Sequence, residues 1–374
     1  MKKFIYLFKI FLINSIIFAF SIIFIELLFG NWFSKYSWNY LLRSHKDKKI
    51  EYTIKLGAKT FKFEYVRNKH GFREQNFDPK DVKIVFFGGS TGNERFLPYE
   101  LTIVGRLNSY FKEKNLPKIY NASVDGHSSV GFINNLYKWF PIIKGLKPKI
   151  YIIYLGINER YYLDFEGKAN NPNNIFFKQK ANSYIPDFDL LIADNKKKRI
   201  STFIKNNSFF FQKGKILQLK YFPEKVYSSY DTSKFNPQYN FIVDENINFL
   251  NHLNVEKKFK YIILSDIEKL YLKSLNKRLE ILTDLIKKND GIPIYINQVL
   301  VSGQNRTLYI TNNAIKEYCK KNNLEFINLA SKIKDMKIND FYDEFHTTDT
   351  GSLKISNEIK YDLEKIISKI FNKI

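Results

Sequence analysis

Ser90 lies in a short glycine-rich segment that is suited to hold a nucleophile. Residues 88–92 (GGSTG) follow the apolar run 83–87 (KIVFF), and this order predicts a strand, a tight turn and then a helix. A serine on such a turn is exposed at the carboxyl end of its strand, beside backbone N–H groups and a helix N-terminus. The same pattern is typical of phosphate-binding turns and of turns without a function, so the turn alone leaves these interpretations open.

A serine hydroxyl is a weak nucleophile at neutral pH, so it needs a neighbouring base, usually a histidine that a carboxylate orients. The five histidines of the chain are His45, His70, His127, His252 and His346. His346 lies shortly before the last predicted helix, and Asp343 precedes it by three residues. In a compact turn Asp343 would accept the proton of Nδ1 and leave Nε2 to take the proton of Ser90. Glu344 and Asp349 are the alternative acids.

The tetrahedral intermediate of acyl transfer also needs hydrogen-bond donors that face its oxyanion. Gly126, in residues 121–129 (NASVDGHSS), can present its backbone N–H without a side chain in the way. Asn158, after the apolar run 150–155, can extend its side-chain amide toward the same oxygen. Taken singly, each residue is equally typical of an ordinary turn. His127, next to Gly126, is expected to face the substrate or to be structural.

The elements that must position these residues alternate between strands and helices. After the first strand, apolar runs predict further strands over residues 118–121, 150–155, 292–297 and 324–328. Helical patterns follow over residues 265–288 and again from Leu353 to Ile370, where apolar residues recur at a spacing of about 3.6 residues. Strands that alternate with helices indicate a parallel sheet between helix layers. Ligands of such sheets bind at the carboxyl ends of the strands.

The N-terminus carries an apolar segment that is long enough to cross a membrane. Residues 10–29 form a run of about the 20 residues that a bilayer-spanning helix needs, interrupted by Asn14, Ser15 and Glu26. Aromatic residues that favour the headgroup region follow it. A cleaved signal peptide is the alternative, but the segment lacks a good small-x-small cleavage site. We therefore predict an uncleaved, single-pass anchor over residues 1–30.

The remaining chain divides into two regions. Residues 31–80 form a juxtamembrane lead-in, and residues 81–374 form one α/β domain with an insertion at about 161–260, where the strand and helix pattern is lost. Basic residues after the anchor outnumber those before it, and this charge bias alone would place the domain in the cytoplasm. Large domains are translocated largely regardless of charge, so we expect the domain outside the cytoplasm, in a periplasm or at the cell surface.

The composition limits the classes of partner and cofactor. The formal charge of +23 results from 60 Lys and Arg against 37 Asp and Glu, but the basic residues are scattered and no nucleic-acid motif is present. We therefore expect no nucleic-acid partner. The single cysteine, Cys319, cannot form an intramolecular disulfide and is expected to be a small buried residue. Serine-based acyl chemistry needs neither a metal nor an organic cofactor, and we expect none.

In this order, the segments around Ser90, Gly126, Asn158 and His346 resemble the motifs of the SGNH, or GDSL-like, hydrolases, and the combination is much more specific than any part. The resemblance covers roughly residues 68–160 and 261–374. It includes a lead-in, NKHGFR, that is similar to one in membrane-linked members. The resemblance implies a three-layer α/β/α sandwich with a flavodoxin-like, five-stranded parallel sheet.

The resemblance also assigns roles to single residues. By position, it assigns the catalytic triad to Ser90, Asp343 and His346 and the oxyanion hole to the Ser90 backbone N–H, Gly126 and Asn158. The chain departs from the family pattern at Gly89, where an acid often precedes the serine, and at Glu159, where an aspartate often follows the asparagine. Neither departure removes an atom to which a catalytic role is assigned.

The expected function is the hydrolysis of an acyl ester, such as an O-acetyl group on an envelope glycan, by a membrane-anchored serine esterase. An O-acyltransferase that moves the acyl group to a cell-surface polysaccharide would use the same residues, and a lipase or thioesterase at the membrane surface is a further alternative. From a different class, a catalytically inactive glycan-binding or assembly component would not depend on Ser90. The expected partners are an acylated small molecule or glycan and the membrane.

Overall fold

The structure is a computed structural model. The described residues are 2–30, 32–33, 47–56, 59–159, 204, 208–211, 213–214, 217, 249–250 and 252–372. They fall into two compact units, one formed by residues up to 33 and between 204 and 217, the other by residues 47–159 and 249–372. His45 and most of the insertion predicted at about 161–260 lie outside the described residues.

The first unit contains a long apolar helix, α1 (Lys2–Phe29). Its 28 residues measure about 42 Å at about 1.5 Å per residue, which exceeds the roughly 30 Å of a bilayer core. The helix is long and apolar enough to cross a membrane, a condition that a signal sequence also meets. The carboxylate of Glu26 accepts hydrogen bonds from the Ser208 hydroxyl (2.6 Å) and the backbone N–H of Phe209 (2.9 Å). The carboxylate that interrupts the apolar run is therefore hydrogen-bonded within this unit.

The second unit begins with a β-hairpin, inside the region described above as a lead-in. β1 (Lys48–Leu56) pairs antiparallel with β2 (Lys59–Arg67). One face of the hairpin buries the apolar side chains of Tyr52, Ile54, Leu56 and Tyr65. Leu97 and Tyr342, from loops at the sheet edge, join the same apolar cluster. The hairpin therefore packs as part of the domain that contains the sheet.

A five-stranded parallel sheet forms the centre of the second unit. Its strands are β3 (Ile84–Phe87), β4 (Ile119–Asn121), β5 (Ile150–Tyr154), β6 (Ile292–Ile296) and β7 (Glu325–Ile327). They lie in the order β4-β3-β5-β6-β7, each parallel to its neighbours. Numbered from β3, this is the order 2-1-3-4-5 of flavodoxin-like folds. The predicted fold class is confirmed, and each predicted strand forms within one or two residues of its predicted bounds.

Helices cover both faces of this sheet. They are α2 (Ser90–Asn93), α3 (Ile103–Glu113), α4 (Ser129–Asn134), α5 (His252–Phe259), α6 (Asp266–Lys288), α7 (Arg306–Lys321), α8 (Leu329–Lys332) and α9 (Asp349–Phe371). α3 and α9 share one apolar core with Phe86 and Ile152, whereas α4, α6 and α7 contact Phe87 or Tyr295 on the opposite face. Successive side chains of a strand point to opposite faces, and this alternation builds the three layers.

A local signal fixes the start of α6. α6 begins where the sequence predicts it, because the side chains of Ser265 and Glu268 cap each other's backbone N–H groups in a capping box. On α7, Cys319 is fully buried, as predicted.

The loops after β3, β4 and β5 carry Ser90, Gly126 and Asn158. Since parallel strands end at one edge of a sheet, this topology brings the three loops together.

Candidate active site

Ser90 is the first residue of α2, after the two-glycine turn that follows β3. Its Oγ lies 2.7 Å from Nε2 of His346, and Nδ1 of His346 lies 2.6 Å from Oδ2 of Asp343. The structure therefore places the three residues predicted to be catalytic in one hydrogen-bonded row, although 256 positions separate Ser90 from His346.

The carboxylate of Asp343 is fixed by the turn that contains it. Its Oδ1 accepts hydrogen bonds from the backbone N–H groups of Phe345 (2.9 Å) and His346 (2.7 Å), so Oδ2 faces the imidazole. Burial raises the pKa of Asp343, but the hydrogen bonds and the charge of His346 outweigh burial and bring the pKa below its ordinary value. An ionised Asp343 holds the proton of His346 on Nδ1, which leaves Nε2 as the acceptor toward Ser90.

Of the two alternative acids, Glu344 and Asp349, the second has another partner, and His127 has a different environment from His346. Asp349, at the start of α9, forms an ion pair with Lys59 at 2.5 Å, and Asp343 supplies the carboxylate that bonds to His346. His127 is buried, and burial lowers its pKa to about 3, so its ring is neutral at neutral pH. Its backbone carbonyl accepts a hydrogen bond from the amide of Asn158 at 2.7 Å. Of the two roles expected for His127, this buried position favours the structural one.

A cleft of about 290 Å³ opens beside the nucleophile. Its walls are formed by Ser90, Arg95, Phe96, Asp125, Gly126, Asn158, Tyr342, Phe345 and His346. Gly126 has a φ of +77°, a left-handed conformation that favours glycine, and the position of a Cβ there faces open space. Asn158 uses one amide hydrogen on the His127 carbonyl, which leaves its second for another acceptor. Gly126 and Asn158, predicted to form the oxyanion hole together with the Ser90 backbone N–H, thus line the same cleft as Ser90.

Gly89 allows the close approach of the Asn158 loop to the nucleophile turn. A Cβ at position 89 would overlap the side-chain nitrogen of Asn158 and would lie 3.0 Å from the carbonyl oxygen of His127. The glycine that replaces the acid expected from the family pattern therefore makes room for the amide of Asn158 next to Ser90. This packing gives a physical reason for the departure at position 89.

Two buried arginines hold the segment that follows Ser90. Arg73 donates hydrogen bonds to the backbone carbonyls of Asn93, Glu94 (2.8 Å) and Leu97 (2.5 Å). Arg67, at the end of β2, donates to the side-chain oxygen of Asn93 at 3.2 Å. Both guanidinium groups are almost fully buried. The NKHGFR motif, which ends at Arg73, is the sequence signal for this contact; the role of Arg67 has no such signal.

Glu94 links the nucleophile segment to the His346 segment. Its backbone N–H donates to the carbonyl of Ser90 at 2.8 Å. Its carboxylate accepts hydrogen bonds from the backbone N–H of Ile103 (2.6 Å) and from the hydroxyls of Thr347 (3.1 Å) and Ser352. Burial raises the pKa of Glu94 to about 7, against these hydrogen bonds and the charge of Arg73. The carboxyl group therefore gains or loses its proton near neutral pH.

The raised pKa of Glu94 predicts a pH-dependent stability. The native state binds this proton more tightly than the unfolded chain, so the contribution is complete below the ordinary pKa of 4.5 and is lost as the pH rises through about 7. Between about pH 5 and about pH 8, the free energy of unfolding of the wild type should fall by about 2–3 kcal/mol relative to Glu94→Gln. Urea titrations of both proteins at the two pH values measure this difference, and parallel changes with pH would contradict it.

Asn158 is held in place by its neighbour Glu159. Glu159 is fully buried, and its carboxylate accepts a hydrogen bond from the backbone N–H of Ser129 and pairs with Arg278 of α6 at 2.8 Å. Arg278 also donates to the Ser129 hydroxyl at 2.8 Å. This buried ion pair joins the loop after β5 to the start of α4 and to the middle of α6. The glutamate that replaces the expected aspartate thus reaches a partner, Arg278, that the sequence did not reveal.

Several solved structures are similar to this chain. TesA is 9% identical with a TM-score of 0.41, and the match covers 76% of this chain and 98% of that chain. The esterase EstA from Pseudoalteromonas sp. is 10% identical with a TM-score of 0.38, covering 76% of this chain and 98% of that one. The acetylxylan esterase Axe2 from Geobacillus stearothermophilus is 10% identical with a TM-score of 0.39, covering 75% and 94%.

Other similar structures are named GDSL-like lipases, the family that the sequence motifs resemble. One of them, from Bacteroides thetaiotaomicron, is 11% identical with a TM-score of 0.37, and the match covers 77% of this chain and 90% of that chain. No family model and no curated protein matches the chain. The chemistry proposed for this protein therefore depends on the distances between its own residues.

Proposed function

We propose that this protein is a membrane-anchored serine esterase of the SGNH type, with Ser90 as its nucleophile. The observation that carries the proposal is the row from Ser90 through His346 to Asp343, with hydrogen bonds of 2.7 and 2.6 Å. A phosphate-binding turn, or a turn without a function, has no need for an imidazole and a carboxylate at these distances from its serine. An acyl-transfer nucleophile needs both.

In the proposed reaction, Oγ of Ser90 attacks the ester carbonyl while Nε2 of His346 takes the hydroxyl proton. The charge that develops on the carbonyl oxygen is met by the backbone N–H groups of Ser90 and Gly126 and by the amide of Asn158. His346 then protonates the leaving alcohol, and the same imidazole activates the water that releases the acyl group. Asp343 stays ionised and stabilises the imidazolium.

The size of the cleft favours a short acyl group such as acetyl. Its volume of about 290 Å³ is near the lower end of the roughly 300–1,000 Å³ that is usual for drug-sized ligands, and it must also receive the leaving alcohol. We expect kcat/KM to fall at least about tenfold, equivalent to about 1.4 kcal/mol of transition-state stabilisation, from 4-nitrophenyl acetate to the octanoate ester. Assays of the full chain in detergent measure this, and a preference for octanoate would support a lipase or thioesterase instead.

We propose an O-acetylated envelope glycan as the natural substrate, with water as the acyl acceptor. An acyltransferase would form the same acyl-serine and pass the group to a sugar hydroxyl. Supplying a chromogenic acetyl ester with and without a glycan acceptor distinguishes the two reactions, because only a transferase accumulates acetyl groups on the acceptor. A binding or assembly protein without activity would keep its cellular role after Ser90→Ala.

We further propose that α1 is an uncleaved anchor and that the domain lies outside the cytoplasm. The length and apolar character of α1 support an anchor, and the absence of a good cleavage site favours its retention. Fusions of the C-terminus to reporters that are active on one side of the membrane test the orientation. A reporter that is active only in the cytoplasm would contradict it.

A further inference from the structure

Arg95 and Asp125 form an ion pair in the wall of the catalytic cleft. Arg95 follows Ser90 by five positions in the chain, and Asp125 directly precedes Gly126. Their side chains keep 14% and 30% of their surface exposed, and both residues line the cleft. A molecule whose ester lies at Ser90 therefore has this pair beside it.

The pair is held in a fixed position by buried groups behind it. Oδ1 of Asp125 accepts a hydrogen bond from the amide of Asn93 at 2.6 Å, and the guanidinium of Arg95 lies 5.9 Å from the centre of the Tyr65 ring. Tyr65 and Asn93 are fully buried and bond to each other at 3.1 Å. Neither charged group is free to move away when a ligand enters, so the pair is preorganised.

A role in stability alone does not account well for the pair. The pair is largely buried, and an apolar pair of similar volume would stabilise such a contact equally well. What the pair supplies instead is a planar fork of N–H donors beside a carboxylate acceptor. An alkyl chain bound against these two charged groups would displace water from them and would form no hydrogen bonds in its place.

We infer that Arg95 and Asp125 bind the alcohol part of the ester, and that this alcohol is a sugar or a similar polyol. Hydroxyl groups next to the ester donate to the carboxylate of Asp125 and accept from the guanidinium of Arg95, while Phe96, in the same wall, offers an aromatic surface to the ring. This inference rests on the proposed esterase function, because it needs the ester to be bound at Ser90. It assigns the preference for a polyol to two residues outside the triad and the oxyanion hole.

The test compares three acetyl esters with the full chain in detergent: 4-nitrophenyl acetate, a methyl glycoside that carries one O-acetyl group, and the acetate of a fatty alcohol. For Arg95→Lys and for Asp125→Asn, we expect the ratio of kcat/KM on the sugar ester to kcat/KM on 4-nitrophenyl acetate to fall about tenfold to a hundredfold. Arg95→Lys keeps the positive charge and loses the planar fork, which separates recognition from a failure to fold. Lys332→Gln, which breaks a remote surface ion pair with Asp362, is the matched control and should leave the ratio unchanged.

Two other outcomes have different meanings. An unchanged ratio in both variants, or a wild type that hydrolyses a fatty-alcohol acetate as well as the sugar ester, would overturn the polyol subsite and leave the esterase intact. A wild type that turns over no ester and is not labelled at Ser90 by a fluorophosphonate would overturn the esterase proposal and the subsite with it.

Discussion

Asp343→Asn is expected to lower kcat for ester hydrolysis about 10³- to 10⁴-fold. In the wild type, the carboxylate accepts from Nδ1 of His346 at 2.6 Å and is oriented by two backbone N–H groups. An asparagine amide keeps the shape but can donate to Nδ1, which favours the tautomer with the proton on Nε2. Nε2 then has no free lone pair to take the proton of Ser90. Steady-state hydrolysis of 4-nitrophenyl acetate by both proteins measures the loss.

The control for this prediction is the other aspartate near the histidine. Asp349 pairs with Lys59 at 2.5 Å, so Asp349→Asn is expected to change kcat by less than about threefold, which corresponds to less than about 0.7 kcal/mol in the activation free energy. Thermal unfolding of both variants shows whether the fold is retained. The assignment of Asp343 would be wrong if Asp349→Asn lost activity and Asp343→Asn kept it.

Arg278→Met is expected to lower the free energy of unfolding by about 3–5 kcal/mol. The carboxylate of Glu159, fully buried, would lose the partner that lies 2.8 Å away, and an unpaired buried charge is expensive. Because Asn158 directly precedes Glu159, we also expect kcat to fall as the amide of Asn158 loses its position. Urea denaturation and ester hydrolysis measure the two effects.

A surface ion pair on the same helix provides the comparison. Lys277 and Glu280 pair at 2.9 Å with both side chains more than half exposed, so Lys277→Met should change the free energy of unfolding by no more than about 0.5 kcal/mol. The double variant Glu159→Gln with Arg278→Met removes both charges and should regain part of the lost stability. Equal effects of Arg278→Met and Lys277→Met would show that the buried pair contributes nothing special.

Much of the sheet was predictable because β3, β5 and β6 are short, nearly continuous apolar runs. Residues 83–87 and 150–155 are apolar on both faces, as expected for strands covered by helices on both sides. Ser90, Asn158 and His346, which line one cleft, could be proposed from the sequence because they stand at the ends of such runs or just before a helix. Their order along the chain carried the information that no single residue carries.

The hairpin was missed, although the alternation of apolar and polar residues in β1 and β2 is typical of strands with one buried face. It lies within residues 31–80, for which the prediction was a lead-in without strands. By contrast, no local pattern predicts that Arg278 reaches Glu159 across 119 positions. Glu94 and Thr347 are 253 positions apart, and such contacts follow from the assembled fold alone.

The most direct test of the proposed function is labelling by a fluorophosphonate, which reacts with an activated serine and needs no knowledge of the substrate. The full chain in detergent would be treated as wild type, as Ser90→Ala and as His346→Ala. We expect one label, on the peptide that contains Ser90, which is absent in Ser90→Ala and forms much more slowly in His346→Ala. A folded wild type that is not labelled, or equal labelling of Ser90→Ala, would contradict the assignment of Ser90 as an activated nucleophile.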